Sequence, residues 1–278
     1  MQNLNGKLRA FAAQLREDER SAGTIEKYLR DVRKFFCWLA DRTLEKAQAS
    51  AWRTQLLTDG YAPETVNSMI VALNRFLEVI GRGDCRIHTL RIQRKLFRRQ
   101  ERELTRVEYE RLVQTAERKG QVRLALLLEA IAATGIRVSE VKYLTVEAAK
   151  AGRAEISLKG KIRVVLLPNK LRRKLLKYAK KQKIVSGEIF LTRNGRGLSR
   201  KQIWAEMKML CKRAGVAANK VFPHNLRHLF AQEFYKICRD VVKLADVLGH
   251  SSMETTRIYL LSTGEEHVRQ LDRLRLIS

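Results

Sequence analysis

The stretch RAEISLKGKIRVVLLP, residues 153–168, is the hairpin signal of this chain. It reads as two short strands around a Lys-Gly-Lys turn, Lys159–Gly160–Lys161. The turn is short and the second strand long, so either lysine is a candidate for a functional place at the tip. The flanking sequence is overwhelmingly helical in pattern. There are only 3 prolines, and apolar residues recur at helical spacing on both sides of the hairpin. The expected fold class is therefore mainly α with a small antiparallel β-sheet.

On the N-terminal side, residues 7–18, 24–40, 46–58 and 64–80 read as helices. Ile25, Tyr28, Leu29, Val32, Phe35, Phe36 and Leu39 follow a period near 3.6. Pro63 opens the fourth helix and Gly81 closes it, which are good start and stop signals. Residues 1–84 are thus expected to form one helical domain. Residues 85–103 are dominated by arginine and read as a basic linker, with Arg91, Arg94, Lys95, Arg98 and Arg99 as candidate contacts to a polyanion. A second domain is expected over 104–262. It opens with Thr105 as N-cap and Glu108 three residues on. A buried helix is expected at 121–134, a further helix beginning at Arg137, and a basic helix after the hairpin with Leu171, Leu175, Leu176 and Tyr178 on its apolar side. Residues 187–215 read as a short strand, a turn and a helix, and three helices are expected to fill 225–276.

Composition narrows the partner. Lys and Arg total 56 against 29 Asp and Glu, a net charge of +27. Such a charge points to a polyanion, and nucleic acid comes first because cation–phosphate contacts release condensed counterions. A membrane surface ranks lower, since no stretch approaches the roughly 20 apolar residues of a spanning helix. The first thirty residues are dense in charge, with no apolar region of a signal peptide. Cys37, Cys85, Cys211 and Cys238 lie far apart without paired metal spacing and read as reduced thiols. No acidic cluster suits a magnesium ion, and no cofactor is expected.

Four clusters could carry chemistry. Arg137 and Glu140 follow a buried helix that ends at Gly135. Lys159 and Lys161 flank the turn glycine. His224 and Arg227, at i and i+3, share a helix face, whereas His228 is read as turned away, toward Phe230 and Ala231. In LGHSSMETTRIYL, residues 248–260, His250 precedes Tyr259 by nine positions. Singly, each has an ordinary explanation: a surface arginine, a solvated lysine, a core tyrosine. The order Arg, Lys, His-x-x-Arg, His, Tyr is instead what phosphodiester transfer through a tyrosine requires.

In that order the chain resembles the tyrosine recombinases, or phage integrase family, and in particular their short Xer-like or transposon-type members. TGIRVSEVKYL, KGKIRVVLLP, PHNLRHLFA and LGHSSMETTRIYL are similar to its signature blocks, and the helices at 24–40 and 64–80 to its N-terminal core-binding domain. Two departures stand out: Asn225 where aspartate is common, and the short hairpin turn. The turn leaves the lysine undecided; Lys159 fits better, being before the glycine and four residues ahead of Arg163, with Lys161 in reserve.

The resemblance implies a helical core-binding domain, an α+β catalytic domain, and a site-specific recombinase that cuts and rejoins DNA through a 3′-phosphotyrosyl intermediate and a Holliday junction, without metal or ATP. A free tyrosine is only about 0.1% phenolate at pH 7, so cationic neighbours or a base must activate it. Tyr259 is the implied nucleophile. Arg137 and Arg227 would clamp the non-bridging oxygens with planar donors. His224 and His250 would donate to the phosphate and help move the tyrosine proton, Lys159 would protonate the leaving 5′-oxygen, and Glu140 would support by hydrogen bonding. The implied partners are double-stranded DNA with short inverted-repeat core sites and a homotetramer on that DNA, assembled from free monomers. The tail, 263–278, carries Val268, Leu271, Leu274 and Ile277 at helical spacing and would dock on a neighbouring protomer. With the first helix starting near Lys7, no additional N-terminal DNA-binding module is expected. The expected location is the cytoplasm, with the nucleoid, and no membrane. Two other classes remain as alternatives: a type IB topoisomerase-like nicking-closing enzyme, and a DNA-binding regulator without catalysis.

Overall fold

The computed structural model describes residues 2–92, 103–158, 161–250, 252–260, 268, 269 and 272–274. The chain divides into two units, Met1–Arg94 and Lys95–Ser278.

The first unit contains four helices: α1 (Gln2–Glu17), α2 (Ala22–Leu39), α3 (Lys46–Thr58) and α4 (Pro63–Val79), followed by a 3-10 turn at Gly83–Cys85. Ser21 caps α2 by accepting from the Thr24 amide, and Pro63 supplies a pre-set φ at the start of α4. The periodic residues of α2 do what the pattern predicts: Ile25, Val32, Phe35 and Leu39 are buried. Aromatic rings dominate the packing. Phe76 on α4 meets Phe11 and Phe36 edge-on at 5.4 and 5.5 Å, and Phe35 meets Trp52 at 5.1 Å. Beyond the turn the chain runs extended along α4, where two asparagines seven residues apart bracket its backbone. Asn74 pairs with the amide and carbonyl of Ile87, and Asn67 with those of Leu90.

The second unit opens with α5 (Arg106–Arg118), whose Thr105–Glu108 capping box is formed as expected. The central helix α6 (Val122–Thr134) is apolar nearly all round and packs against α5 and, from later in the chain, α8 (Asn169–Lys181) and α10 (Pro223–Cys238). Gly135 ends it in the left-handed conformation. The helix expected from Arg137 is instead a 3-10 turn, Val138–Tyr143, because Thr145 caps α7 (Val146–Ala151) immediately afterwards. The hairpin is present: β1 (Arg153–Leu158) pairs antiparallel with β2 (Lys161–Leu166), in a register that sets Ile156 opposite Arg163 and Leu158 opposite Lys161.

Next come α8 (Asn169–Lys181), α9 (Arg200–Ala214), α10 (Pro223–Cys238), α11 (Val241–Leu248) and α12 (Met253–Arg257). The short strand expected near 187–191 is absent. Ile189 and Phe190 plunge into the core, and the segment makes only isolated bridges, Thr145 with Glu188 and Leu191 with Gly197. The helix expected through Tyr259 is also shorter: it closes at Arg257 and hands over to a 3-10 turn, Ile258–Leu260. In the tail Val268 and Leu274 are exposed, whereas Leu271 and Ile277 lie outside the described residues.

Candidate active site

Tyr259 sits in the 3-10 turn after α12 and is only 4% exposed. It belongs to a buried cluster with Ala231, Leu244 and Leu248. Its ring also meets three imidazoles: His228 at 4.8 Å edge-on, His250 at 5.7 Å stacked, and His224 at 5.8 Å. Its nearness opposes the burial and the Arg137 repulsion that lower the pKa of the Arg227 guanidinium. A purely structural core tyrosine would not need this polar surround. His228 is thus a correction to the sequence reading. It faces the tyrosine because i and i+4 share a helix face, here with His224.

Arg227, on α10, is 3% exposed. It donates to the Gly135 carbonyl, to the Leu248 carbonyl at 2.7 Å and to His250 Nε2 at 2.8 Å. Burial, with repulsion from Arg137, lowers its pKa to about 10, so it stays charged at neutral pH. Since arginine only donates, His250 Nε2 must accept. Nδ1 then carries the proton and donates to the buried Thr256 hydroxyl at 2.8 Å. Burial first, then Arg227, Arg137 and Arg163, push the His250 pKa down to about 4. Burial and the same first two arginines also lower that of His224. Both rings are therefore neutral at pH 7.

Arg137 is the accessible arginine, its side chain 39% exposed. It donates to Glu140 Oε1 at 2.9 Å and to the Gly249 carbonyl at 3.3 Å, while its amide donates to Glu140 Oε2 at 2.9 Å. Glu140 is buried. Burial alone would raise its pKa; hydrogen bonds from Arg163 and Arg137 outweigh that and hold the carboxyl below its ordinary value. Glu140 thus accepts from two guanidiniums, those of Arg137 and Arg163.

Two glycines make the close approach possible. Gly135 and Gly249 both have positive φ, +62° and +63°, as C-caps of α6 and α11. A Cβ on Gly135 would lie 2.5 Å from the Phe230 ring, and one on Gly249 would lie 2.4 Å from Arg163 Cδ. Their carbonyls accept from Arg227 and Arg137 respectively.

The site thus brings together Arg137, Glu140, His224, Arg227, His250 and Tyr259, and adds His228, Thr256 and Arg163. Lys159 lies outside the described residues. Lys161 begins β2, with its side chain outside them. Of the basic linker residues Arg91 is exposed, and Arg94, Lys95, Arg98 and Arg99 lie outside the described residues. Arg163 had a signal: it falls on the inward row of β2 with Val165, and a buried-face arginine implies a paired charge.

The phage integrase family matches residues 102–266, and the phage integrase N-terminal SAM-like domain matches residues 8–82. The chain belongs to the phage integrase family. It is 27% identical to the tyrosine recombinase XerA of Pyrococcus furiosus, across 97% of this chain and 94% of that protein. Identity to the tyrosine recombinase XerD of Brucella melitensis is 30%, across 85% of each. Among solved structures, a lambda integrase tetramer bound to a Holliday junction shares the fold, with a TM-score of 0.73, 18% identity, and 92% of this chain and 76% of that one covered. This integrase-family protein is a tyrosine-type site-specific recombinase.

Proposed function

We propose that Tyr259 is the nucleophile, and that the cationic cluster around it binds the scissile phosphate. The observation that carries this is the ring of three imidazoles around the buried Tyr259, one of them bonded to Arg227, in a site where Arg137 remains accessible. The phenol oxygen attacks phosphorus and forms a 3′-phosphotyrosyl ester. The bond to the 5′-oxygen breaks, and Lys159 protonates that oxygen, with Lys161 as the alternative donor. Arg137 and Arg227 hold the non-bridging oxygens as charge accumulates. Neutral His224, its ring 5.8 Å from that of Tyr259, accepts the phenol proton. His250 orients Arg227 through Nε2, and Glu140 fixes Arg137. The ester retains the energy of the broken bond, so a 5′-hydroxyl from the partner strand restores the backbone without ATP.

Residues 1–84 and 104–262 both contact the target duplex, and 85–103 supplies a basic strap through Arg91, Arg94, Lys95, Arg98 and Arg99. The substrate is double-stranded DNA bearing short inverted repeats. Monomers assemble on it as a tetramer through the 263–278 tail, and exchange proceeds through a Holliday junction. The absence of a spanning helix among the described residues accords with action in the cytoplasm, at the nucleoid. Recombination between two differently marked sites tests this reading. Exchanged flanks are expected; relaxation of supercoils without exchange would leave a nicking-closing enzyme.

A further inference from the structure

We propose that Arg163 is a positioning residue that locks the lysine-bearing hairpin onto the arginine platform. The proposal rests on the turn lysine being the acid for the leaving oxygen. Arg163 lies on β2 opposite Ile156, on the inward row with the buried Val165. Its side chain is 13% exposed, and its terminal nitrogens are both taken by protein. Nη2 donates to Glu140 Oε2 at 2.6 Å. Nη1 donates to the Leu248 carbonyl at 2.7 Å and the Val247 carbonyl at 3.2 Å.

Two of those acceptors are shared with other arginines of the site. Glu140 also holds Arg137, and the Leu248 carbonyl also holds Arg227. Arg163 therefore fastens the hairpin to both anchors of the phosphate clamp while having no free fork for phosphate itself. The fit is tight. Its Nε is buried without a partner, an unfavourable arrangement, and only a glycine at 249 leaves room for its Cδ. Lys161 begins the same strand two residues before Arg163, so whatever fixes β2 there fixes the backbone of Lys161. A planar fork suits this task better than an ammonium, which cannot span a carboxylate and a carbonyl in one plane.

The test uses the full chain and a nicked duplex with either an ordinary 5′-oxygen or a 5′-bridging sulfur at the cut. A thiolate leaves without needing a proton, so sulfur bypasses the acid. At saturating protein, Arg163→Gln is expected to cut the oxygen substrate about 100-fold more slowly, yet the sulfur substrate within about threefold of wild type. Arg163→Lys should fall between. Gly249→Ala, which crowds the arginine in place, should show the same selectivity, and it carries the test if Arg163→Gln fails to fold. Equal losses on both substrates would overturn the proposal, since a general distortion does not distinguish leaving groups. Lys159→Ala and Lys161→Ala separate the two failures. If sulfur rescues one of them but not the Arg163 variants, the positioning role falls and the lysine reading stands. If it rescues neither, the lysine reading falls and takes this proposal with it.

Discussion

The cores of the two units follow opposite rules. In the first, the interior is rings and aliphatic chains: Phe11, Phe35, Trp52 and Phe76 interlock. Its one buried carboxylate, Asp31, is held by Lys27 and Arg30 near the surface. In the second, an apolar core around α6 adjoins a polar seam in which Arg227, Glu140, Thr256 and Asn225 are buried together. Apolar burial is tolerant of exchange and gives stability. A buried polar seam contributes little net stability, and each member is costly to remove singly. Its presence beside Tyr259 is accounted for by chemistry. Asn225 belongs to its frame, donating to the Lys220 carbonyl at 2.7 Å at the start of α10.

That contrast can be tested in order of effect. Arg227→Ala should slow DNA cleavage by about 10²–10³-fold, measured as covalent adduct per bound protein on a nicked duplex. A loss below tenfold would mean the seam is structural. Trp52→Ala should destabilise the first unit by about 3–5 kcal/mol, read from hydrogen exchange of the α4 amides, with adduct formation per bound molecule unchanged in the cold. Coupled loss of both would erase the distinction between units.

Acid should act on the seam. The folded His250 pKa, about 4, lies below the ordinary imidazole value of 6.5, so the unfolded chain binds the extra proton between them. Stability from the neutral ring is complete above about pH 6.5 and lost as pH falls toward 4, by no more than about 3 kcal/mol. Unfolding followed from pH 7 to 4 should show this slope, and His250→Gln should flatten it. Smallest of all, Asn67→Ala should free the Leu90 amide to exchange at a cost of about 1 kcal/mol, without altering cleavage.

Much of this architecture is legible in the chain before folding. The first unit's helices follow from periodicity and punctuation, and the Thr105–Glu108 box from four letters. The hairpin follows from alternation around a glycine. What escapes is set by distance or by brevity. Six residues after Arg137 cannot distinguish a 3-10 turn from an α-helix by period. Ile189 and Phe190 look like a strand because burial, rather than pairing, selects such residues. Arg163 shows in the sequence only as an arginine on a buried row; its partners, 23 residues back and 84 and 85 residues ahead, lie beyond any local pattern. His228 is within reach of the sequence, because its i+4 relation to His224 outweighs its apolar neighbours.

The central claim is that Tyr259 becomes joined to the cut strand. Trapping the protein on a nicked duplex, digesting the adduct and sequencing the DNA-linked peptide by mass spectrometry tests it directly. The account predicts a single 3′-phosphoryl linkage on Tyr259 that disappears in Tyr259→Phe. A linkage on any other residue, or an adduct that survives that substitution, would contradict it.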